Sequence, residues 1–354
     1  MGQLAGVHKV LPPHRYEQHE IRDALVAIGA VRPEARGLLA RLHEGSTVRG
    51  RHLALPLERY ADLGGFGAAN DAYVAAALEL GEAALRGALA DAGVAASEVD
   101  LVVSTSVTGL AVPSIEARLS GRLGLRADVK RLPVFGLGCL AGAAGLARVH
   151  DYLAGHPGEV AVLLAVELCS LTIQRSDSSP ANLVAGSLFG DGAAAAVVVG
   201  RDHPAARGAR GPATVATRSR LYPDTGHLLG WDVGDGGFRI LLGSDLPDTV
   251  LRHLGAEARE FLADHDLKPH DVEHWICHPG GPKVLEAVRD SLDLPARALE
   301  TTWRSLAEVG NLSSASVLHI LRDTLDRERP LPGTPGLMLA MGPGFSSELV
   351  LLRW

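Results

Sequence analysis

A repeated succession of helix end, acidic turn and apolar strand constrains this chain more than any single motif. "ADAGVAASEVDLVVSTS" begins at Ala90 and "ADHDLKPHDVEHWICHP" begins at Ala263, 173 residues apart. "GCLAGAAGLARVHDYL" from Gly138 and "GNLSSASVLHILRDTL" from Gly310 form a second pair, 172 residues apart. Two pairs agreeing within one residue predict an internal duplication. With 354 residues and 47% hydrophobic content, the chain can bury the large core that two fused halves require. Under the duplication Cys139 and Asn311 occupy equivalent places, each after a glycine at the start of a central helix, and packing of the halves brings both helix starts toward one cleft.

Periodicity supports an α/β chain. Helical spacing covers 70–93, a glycine ends it, and "VDLVVSTS" (99–106) reads as a buried strand. A helix over 139–154 and strands over 159–167 and 192–200 complete the first half. The second half reads as a helix over 247–264, a strand over 273–277, a helix starting near Asn311, and strands over 336–341 and 346–353. The Gly- and Pro-rich stretch 201–215 reads as the connection, so the halves are placed at 1–205 and 206–354.

Three readings of "GLGCLA" (136–141) are open on the segment alone. It fits a loose GxGxxG/A dinucleotide turn, with Glu167 ending the next strand. Cys139 also fits a small buried core residue, the usual fate of a free cysteine. The third reading is a nucleophile at a helix start, where the dipole and free N–H groups stabilise a thiolate. Acyl chemistry at a thiol needs a base or cationic partner and donors for an oxyanion. His278 stands where the strand "WIC" breaks into a Pro-Gly-Gly turn, at the strand end where α/β sites lie. Asn311 supplies an amide donor, although asparagine alone is also a good helix cap.

Composition removes other classes. A net charge of −7 gives no footprint for nucleic acid, although "RLHEGSTVRGRH" (41–52) could meet an anionic cofactor. The N-terminal stretch has no apolar core of signal type, and no apolar run reaches membrane length, so a cytoplasmic protein without membrane insertion is expected. The three cysteines, Cys139, Cys169 and Cys277, lie far apart without CxxC pairs, suggesting neither a disulfide framework nor a metal site.

The motifs "VKRLPVFGLGCLAGAAGLARVHDYL", "VELCSLT", "LFGDGAAAAVVVG", "HPGGPKVLEAV", "GNLSSASVLHILRD" and "MGPGFSSELVLL" occur in an order that resembles the type III polyketide synthases, relatives of chalcone and stilbene synthases, over roughly residues 35–354. The resemblance implies a thiolase-like, five-layered αβαβα fold of two pseudo-symmetric halves. It also implies an acyltransferase that uses coenzyme A thioesters as substrates and needs no cofactor. The fatty-acid-initiating β-ketoacyl-carrier-protein synthases share the Cys-His-Asn set but usually follow the histidine with Gln-Ala-Asn. Here Pro279-Gly280-Gly281-Pro282 follows.

Carried over by that resemblance, Cys139 takes the starter acyl group, and His278 pairs with its thiolate. His278 and Asn311 then hold the malonyl-CoA carbonyl during decarboxylation. Phe189 and Phe238 match the gating phenylalanines, and Thr172 and Ser313 match cavity positions that influence chain length and ring closure. Asp191 reads as a turn residue. Gly280, Gly281 and Lys283 lie where the pantetheine arm would pass, and Arg41 matches a basic position near the coenzyme A phosphates, whereas a second such position is Gly45. A homodimer is implied, with Val112 at the place of the residue that reaches the neighbouring subunit's cavity.

The inserted "GWDVGDGG" (230–237) looks like bacterial alkylresorcinol and alkylpyrone synthases. With only 4% aromatic residues, it favours a fatty acyl-CoA starter extended by malonyl-CoA to an alkylpyrone or alkylresorcinol. The alternatives are a malonyl-primed tetrahydroxynaphthalene-type synthase, a dihydroxyphenylacetyl-CoA-type synthase, and a carrier-protein-dependent initiating enzyme.

Overall fold

The computed structural model describes residues 2–354. Five strands form the first half's share of the main sheet: β1 (Gly2–Val10), β2 (Val99–Thr105), β3 (Lys130–Val134), β4 (Val160–Leu168) and β5 (Asp191–Gly200). Four more, β6 (Ala213–Leu221), β7 (His274–Cys277), β8 (Pro335–Gly342) and β9 (Ser346–Arg353), come from the second half. Their order is β7-β8-β9-β6-β1-β5-β4-β2-β3. The helices that matter for the site are α1 (Gln18–Ala27), α2 (Phe66–Ala92), α3 (Ala141–Gly155), α4 (Pro180–Leu188), α5 (Leu246–Ala263), α6 (Pro282–Leu292) and α7 (Ser316–Asp323).

The duplication is visible in the pairing. β1-β5-β4-β2 and β6-β9-β8-β7 share one pattern: antiparallel, antiparallel, parallel. Even the irregularities coincide. The ladder slips between Leu4 and Gly6 on β1, and the β6–β9 ladder slips between Thr214 and Ala216 on β6. A bulge is a specific local kink, so its recurrence fixes the equivalence to the residue. The two sets meet through the single pairing of Gln3 with Ala213.

Side chains that alternate across each strand build five layers. On one outer side α2 packs on Val102, Leu164 and Val197. In the middle, α3 and α7 fill the space between Val103, Leu163 and Ala196 of one half and Ile276, Met338 and Val350 of the other. On the far side α5 and α6 cover Trp275, Leu339 and Leu351. This is the duplicated, five-layered α/β fold expected from the motifs. β4 is buried along its whole length, as an apolar strand covered on both faces should be.

β6 was not foreseen and begins inside the stretch 201–215 read as the connection, and two further details differ from the sequence reading. β1 was not foreseen, because "GQLAGVHKV" mixes glycine, alanine and polar residues and carries little strand preference of its own, although it lies at the centre of the sheet. The expected equivalence of Cys139 with Asn311 also shifts. The 3₁₀ turns Gly138–Leu140 and Ser313–Ala315 lead into α3 and α7, and both open on a left-handed residue, Gly138 (φ 54°) and Ser313 (φ 48°). Cys139 therefore corresponds to Ser314, and Asn311 lies three residues earlier, ahead of the turn.

The two helix starts approach each other closely. A Cβ on Gly142, in the first turn of α3, would sit 2.2 Å from the carbonyl oxygen of Ser314 and 2.7 Å from Cγ2 of Val317. A glycine is required there. Gly142→Ala is expected to lower the stability measured by urea unfolding by ~1–3 kcal/mol, the usual cost of overpacking, and to reduce turnover by separating the two turns. Unchanged stability would mean that the helices are free to part.

Candidate active site

Cys139 is buried in the turn that opens α3. It lines an inner chamber of ≈50 Å³ together with Thr108, Cys169, Thr172, Phe189, Trp231 and Ser313. The dinucleotide reading fails on geometry, because the space beside Gly138 is filled by Pro343, whose Cδ lies 2.5 Å from where a Cβ would be. A pyrophosphate has no bare backbone to approach.

His278 and Asn311 are brought together from different elements. His278 extends β7 by one residue, its N–H donating to the Leu339 carbonyl at 2.8 Å. Asn311 is held against the end of α4: its N–H donates to the Leu188 carbonyl at 2.8 Å, and its carbonyl accepts from Gly190 N–H at 2.9 Å. Its side-chain Oδ1 accepts from Ser313 N–H at 2.8 Å, which turns Nδ2 toward His278 Nε2 at 3.4 Å. With the imidazole proton on Nε2, two N–H donors lie side by side, an arrangement suited to one oxygen on which negative charge develops. Ser313 completes the link, since it borders the chamber with Cys139 and its hydroxyl opposes the rise in that thiol's pKa.

Burial acts on both groups in the same sense, against charge. Burial pushes the Cys139 thiol up to about 12, and burial lowers His278 to about 3. Neither shift has the other residue among its causes, and no hydrogen bond joins them. Burial thus favours the neutral form of each group, and Nδ1 of His278 is buried without a hydrogen-bond partner. A thiolate forms only when a proton moves.

Glu167, at the end of β4, was met in the sequence only as part of the dinucleotide-turn reading. Its carboxyl is fully buried and accepts from Thr108 Oγ1 (2.9 Å), Val107 N–H (3.1 Å), Ser314 Oγ (2.5 Å) and Ser313 Oγ (3.3 Å). Burial raises it to about 7 against those hydrogen bonds. It can therefore give or take a proton at neutral pH through hydroxyls that border the chamber. The raised value favours the protonated form in the fold, so the associated stability is complete below 4.5 and is lost as pH rises through about 7. By linkage, wild-type protein is expected to lose about 2 kcal/mol more than Glu167→Gln between about pH 5 and about pH 8 in urea titrations. Parallel pH profiles would contradict a raised carboxyl.

The remaining expected residues are spread more widely. Phe189 lies on the wall between the inner chamber and an outer one of ≈320 Å³. Phe238 borders the outer chamber and sits in an aromatic group that the sequence did not reveal, edge-on to Phe66 (5.3 Å) and beside Trp231 (5.8 Å) and Phe135 (6.2 Å). Trp231, inside the inserted segment, is fixed by donating to the Val107 carbonyl at 2.9 Å. Asp191 has the turn-holding role read from the sequence, accepting from Ala54 N–H and Ser170 N–H. Gly281 caps α6 and faces Leu188. Arg41 and Lys283 are exposed on separate helices, and neither they nor Gly280 borders either chamber. Val112 is 95% exposed. Among the described residues no group of three or more His, Cys, Asp or Glu side chains is placed to hold a metal ion, and no helix is long and apolar enough to cross a membrane.

Residues 2–203 match the family described as chalcone and stilbene synthases, N-terminal domain, and residues 214–354 match its C-terminal domain. A 1,3,6,8-tetrahydroxynaphthalene synthase from Streptomyces peucetius subsp. caesius is 60% identical over 99% of this chain and 93% of its own length. A phloroglucinol synthase from Pseudomonas fluorescens is 30% identical over 100% of this chain and 99% of its own length. Among solved structures, the 1,3,6,8-tetrahydroxynaphthalene synthase of Streptomyces coelicolor A3(2), a bacterial type III polyketide synthase, superposes with a TM-score of 0.93 at 32% identity, covering 99% of both chains.

Proposed function

The chain belongs to the chalcone and stilbene synthase family, as a type III polyketide synthase and coenzyme-A-dependent condensing enzyme, and from that premise we propose that malonyl-CoA both primes and extends its product, a tetrahydroxynaphthalene. The observation that carries this reading is the 60% identity, over 99% of the chain, to the 1,3,6,8-tetrahydroxynaphthalene synthase of Streptomyces peucetius. The fatty acyl starter favoured by the inserted segment finds no such support, and the malonyl-primed alternative replaces it.

In this reading the half comprising residues 1–205 supplies the nucleophile and the half comprising 206–354 supplies the donors. The Cys139 thiol passes its proton to His278 and attacks the malonyl-CoA thioester carbonyl. Coenzyme A leaves as its thiol, taking that proton. An extender malonyl-CoA then loses its carboxylate as carbon dioxide, and the electron pair becomes an enolate. His278 Nε2–H and Asn311 Nδ2–H hold the enolate oxygen while its carbon attacks the Cys139 thioester and the C–S bond breaks. The lengthened chain returns from coenzyme A to Cys139. Glu167, with Ser313 and Thr108, is suited to proton transfer to and from the ketone oxygens as rings close. Ten ring carbons added in pairs require five malonyl units; the starter's carboxyl carbon is lost when the ring becomes aromatic.

Exposed apolar side chains at Leu110, Val112, Leu132 and Phe135 support a homodimer that covers them, with Val112 directed to the neighbouring subunit. The test of function is product mass after incubation with malonyl-CoA alone, beside parallel reactions given fatty acyl-CoA, carrier-protein-bound malonate, or both. A tetrahydroxynaphthalene from malonyl-CoA alone is expected. Products only when a fatty acyl-CoA is supplied would return the assignment to an alkylpyrone or alkylresorcinol synthase.

A further inference from the structure

The outer chamber shares Thr108, Thr172, Ile173 and Phe189 with the inner one, so a chain growing on Cys139 that exceeds the ≈50 Å³ beside the thiol has this ≈320 Å³ space to enter. Most of its lining is apolar, including Ile21 and Leu25 of α1 and Ile28 just after it. Two arginines border it: Arg175, which is exposed and donates from Nη1 and Nη2 to the Ala61 and Leu63 carbonyls, and Arg51, whose side chain is 1% exposed.

Arg51 is under-partnered for a buried cation. Nε donates to Gln18 Oε1 at 3.1 Å and Nη1 to the Phe189 carbonyl at 2.8 Å, but Nη2 is buried with no hydrogen-bond partner. Among the described residues no Asp or Glu oxygen lies within the 4.0 Å of an ion pair. Asp191 is the carboxylate that acts on it from a distance, and its oxygens are already engaged by Ala54 N–H (2.6 Å), Ser170 N–H (2.8 Å) and Ser170 Oγ (2.5 Å). Burial lowers the guanidinium only to about 10, so it stays charged at neutral pH. A buried charge whose counter-ion is distant and already engaged is costly, and a ligand carrying an anion offsets that cost.

The geometry points to Arg51 as the recognition site for a carboxylate at the far end of the acyl chain carried by Cys139. The assignment rests on the malonyl-primed reading and adds its specificity element. A chain started from a malonyl unit keeps a carboxylate at its distal end until the rings form, whereas a chain started from a fatty acyl group ends in a methyl and leaves Nη2 unpaired. The pairing is an ion pair with a charge-assisted hydrogen bond, involves no bond change, and is released when the chain folds to cyclise.

Binding measured by calorimetry in the Cys139→Ala protein, where no acyl transfer occurs, tests this without relying on turnover. The probes are ω-carboxyacyl-CoA thioesters from glutaryl to sebacoyl, each beside the methyl-ended acyl-CoA of equal chain length. At the length that reaches Arg51, the carboxyl-ended probe is expected to bind at least about tenfold more tightly, the discrimination of a charge-assisted hydrogen bond. Arg51→Gln in that background is expected to abolish the preference, and Arg51→Lys to keep part of it. Equal binding at every length, or a preference that survives Arg51→Gln, overturns the assignment. Should Arg51→Gln fail to fold, the wild-type-Arg51 series and the lysine variant still decide it. If malonyl-CoA alone yields no naphthalene while the preference is present, the priming reading fails and the carboxylate site stands.

Discussion

Cys139→Ala is expected to lower product formation from malonyl-CoA by at least ~10⁴-fold, the scale seen when a covalent nucleophile is removed, while malonyl-CoA decarboxylation continues. The split follows from the construction of the site. Cys139 comes from the turn that opens α3, whereas the two donors come from the end of β7 and from the segment held against α4. Deleting a thiol leaves the donor pair, with its 3.4 Å separation and its anchor at Ser313 N–H, undisturbed. Acetyl-CoA and carbon dioxide should therefore accumulate without condensation. Loss of decarboxylation together with condensation would mean that the thiol and the donors do not act separately.

Asn311→Ala should produce the reverse pattern. Removing one oxyanion donor from a buried site typically costs ~10²–10³ in rate, and this loss is expected in malonyl-CoA decarboxylation, followed by carbon dioxide release from carboxyl-labelled substrate. Acylation of Cys139 should stay within about tenfold of wild type, because His278 still accepts the thiol proton. The side chain of Asn311 makes one hydrogen bond to backbone and one contact with His278, so its loss leaves the backbone pairing to Leu188 and Gly190 intact. Equal losses in both steps would assign Asn311 to holding the fold rather than to the enolate.

Much of this arrangement was readable from the chain because it depends on local signals repeated twice. Buried strands such as "VAVLLAVEL" and helices closed by glycine announce themselves by period and composition. The chemistry of Cys139, His278 and Asn311 was readable because each stands at the break of an element. Their register was not. Sequence similarity aligned Gly138 with Gly310, but Ser313 takes the left-handed turn position in the second half, and only the turns reveal the three-residue shift.

Residues whose role comes from distant partners were invisible for the same physical reason. Glu167 collects donors from the loop after β2 and from the turn before α7, about 60 and about 147 positions away in sequence. Trp231, Phe66 and Phe135 meet Phe238 from three separate segments. Arg51 stood in the arginine-containing stretch 41–52 that could meet an anionic cofactor, and its side chain is buried. The upward shift of the Cys139 thiol and the downward shift of His278 are likewise properties of burial, which no spacing encodes.

The account's central claim, that Cys139 carries the growing chain, is tested most directly by mass spectrometry of proteolytic peptides after a brief exposure of the wild-type protein to malonyl-CoA. A malonyl or longer ketide adduct confined to the peptide that contains Cys139, with Cys169 and Cys277 unmodified, is the expected result. An adduct on either of those thiols, or condensation products formed with no acyl group on Cys139, would contradict it.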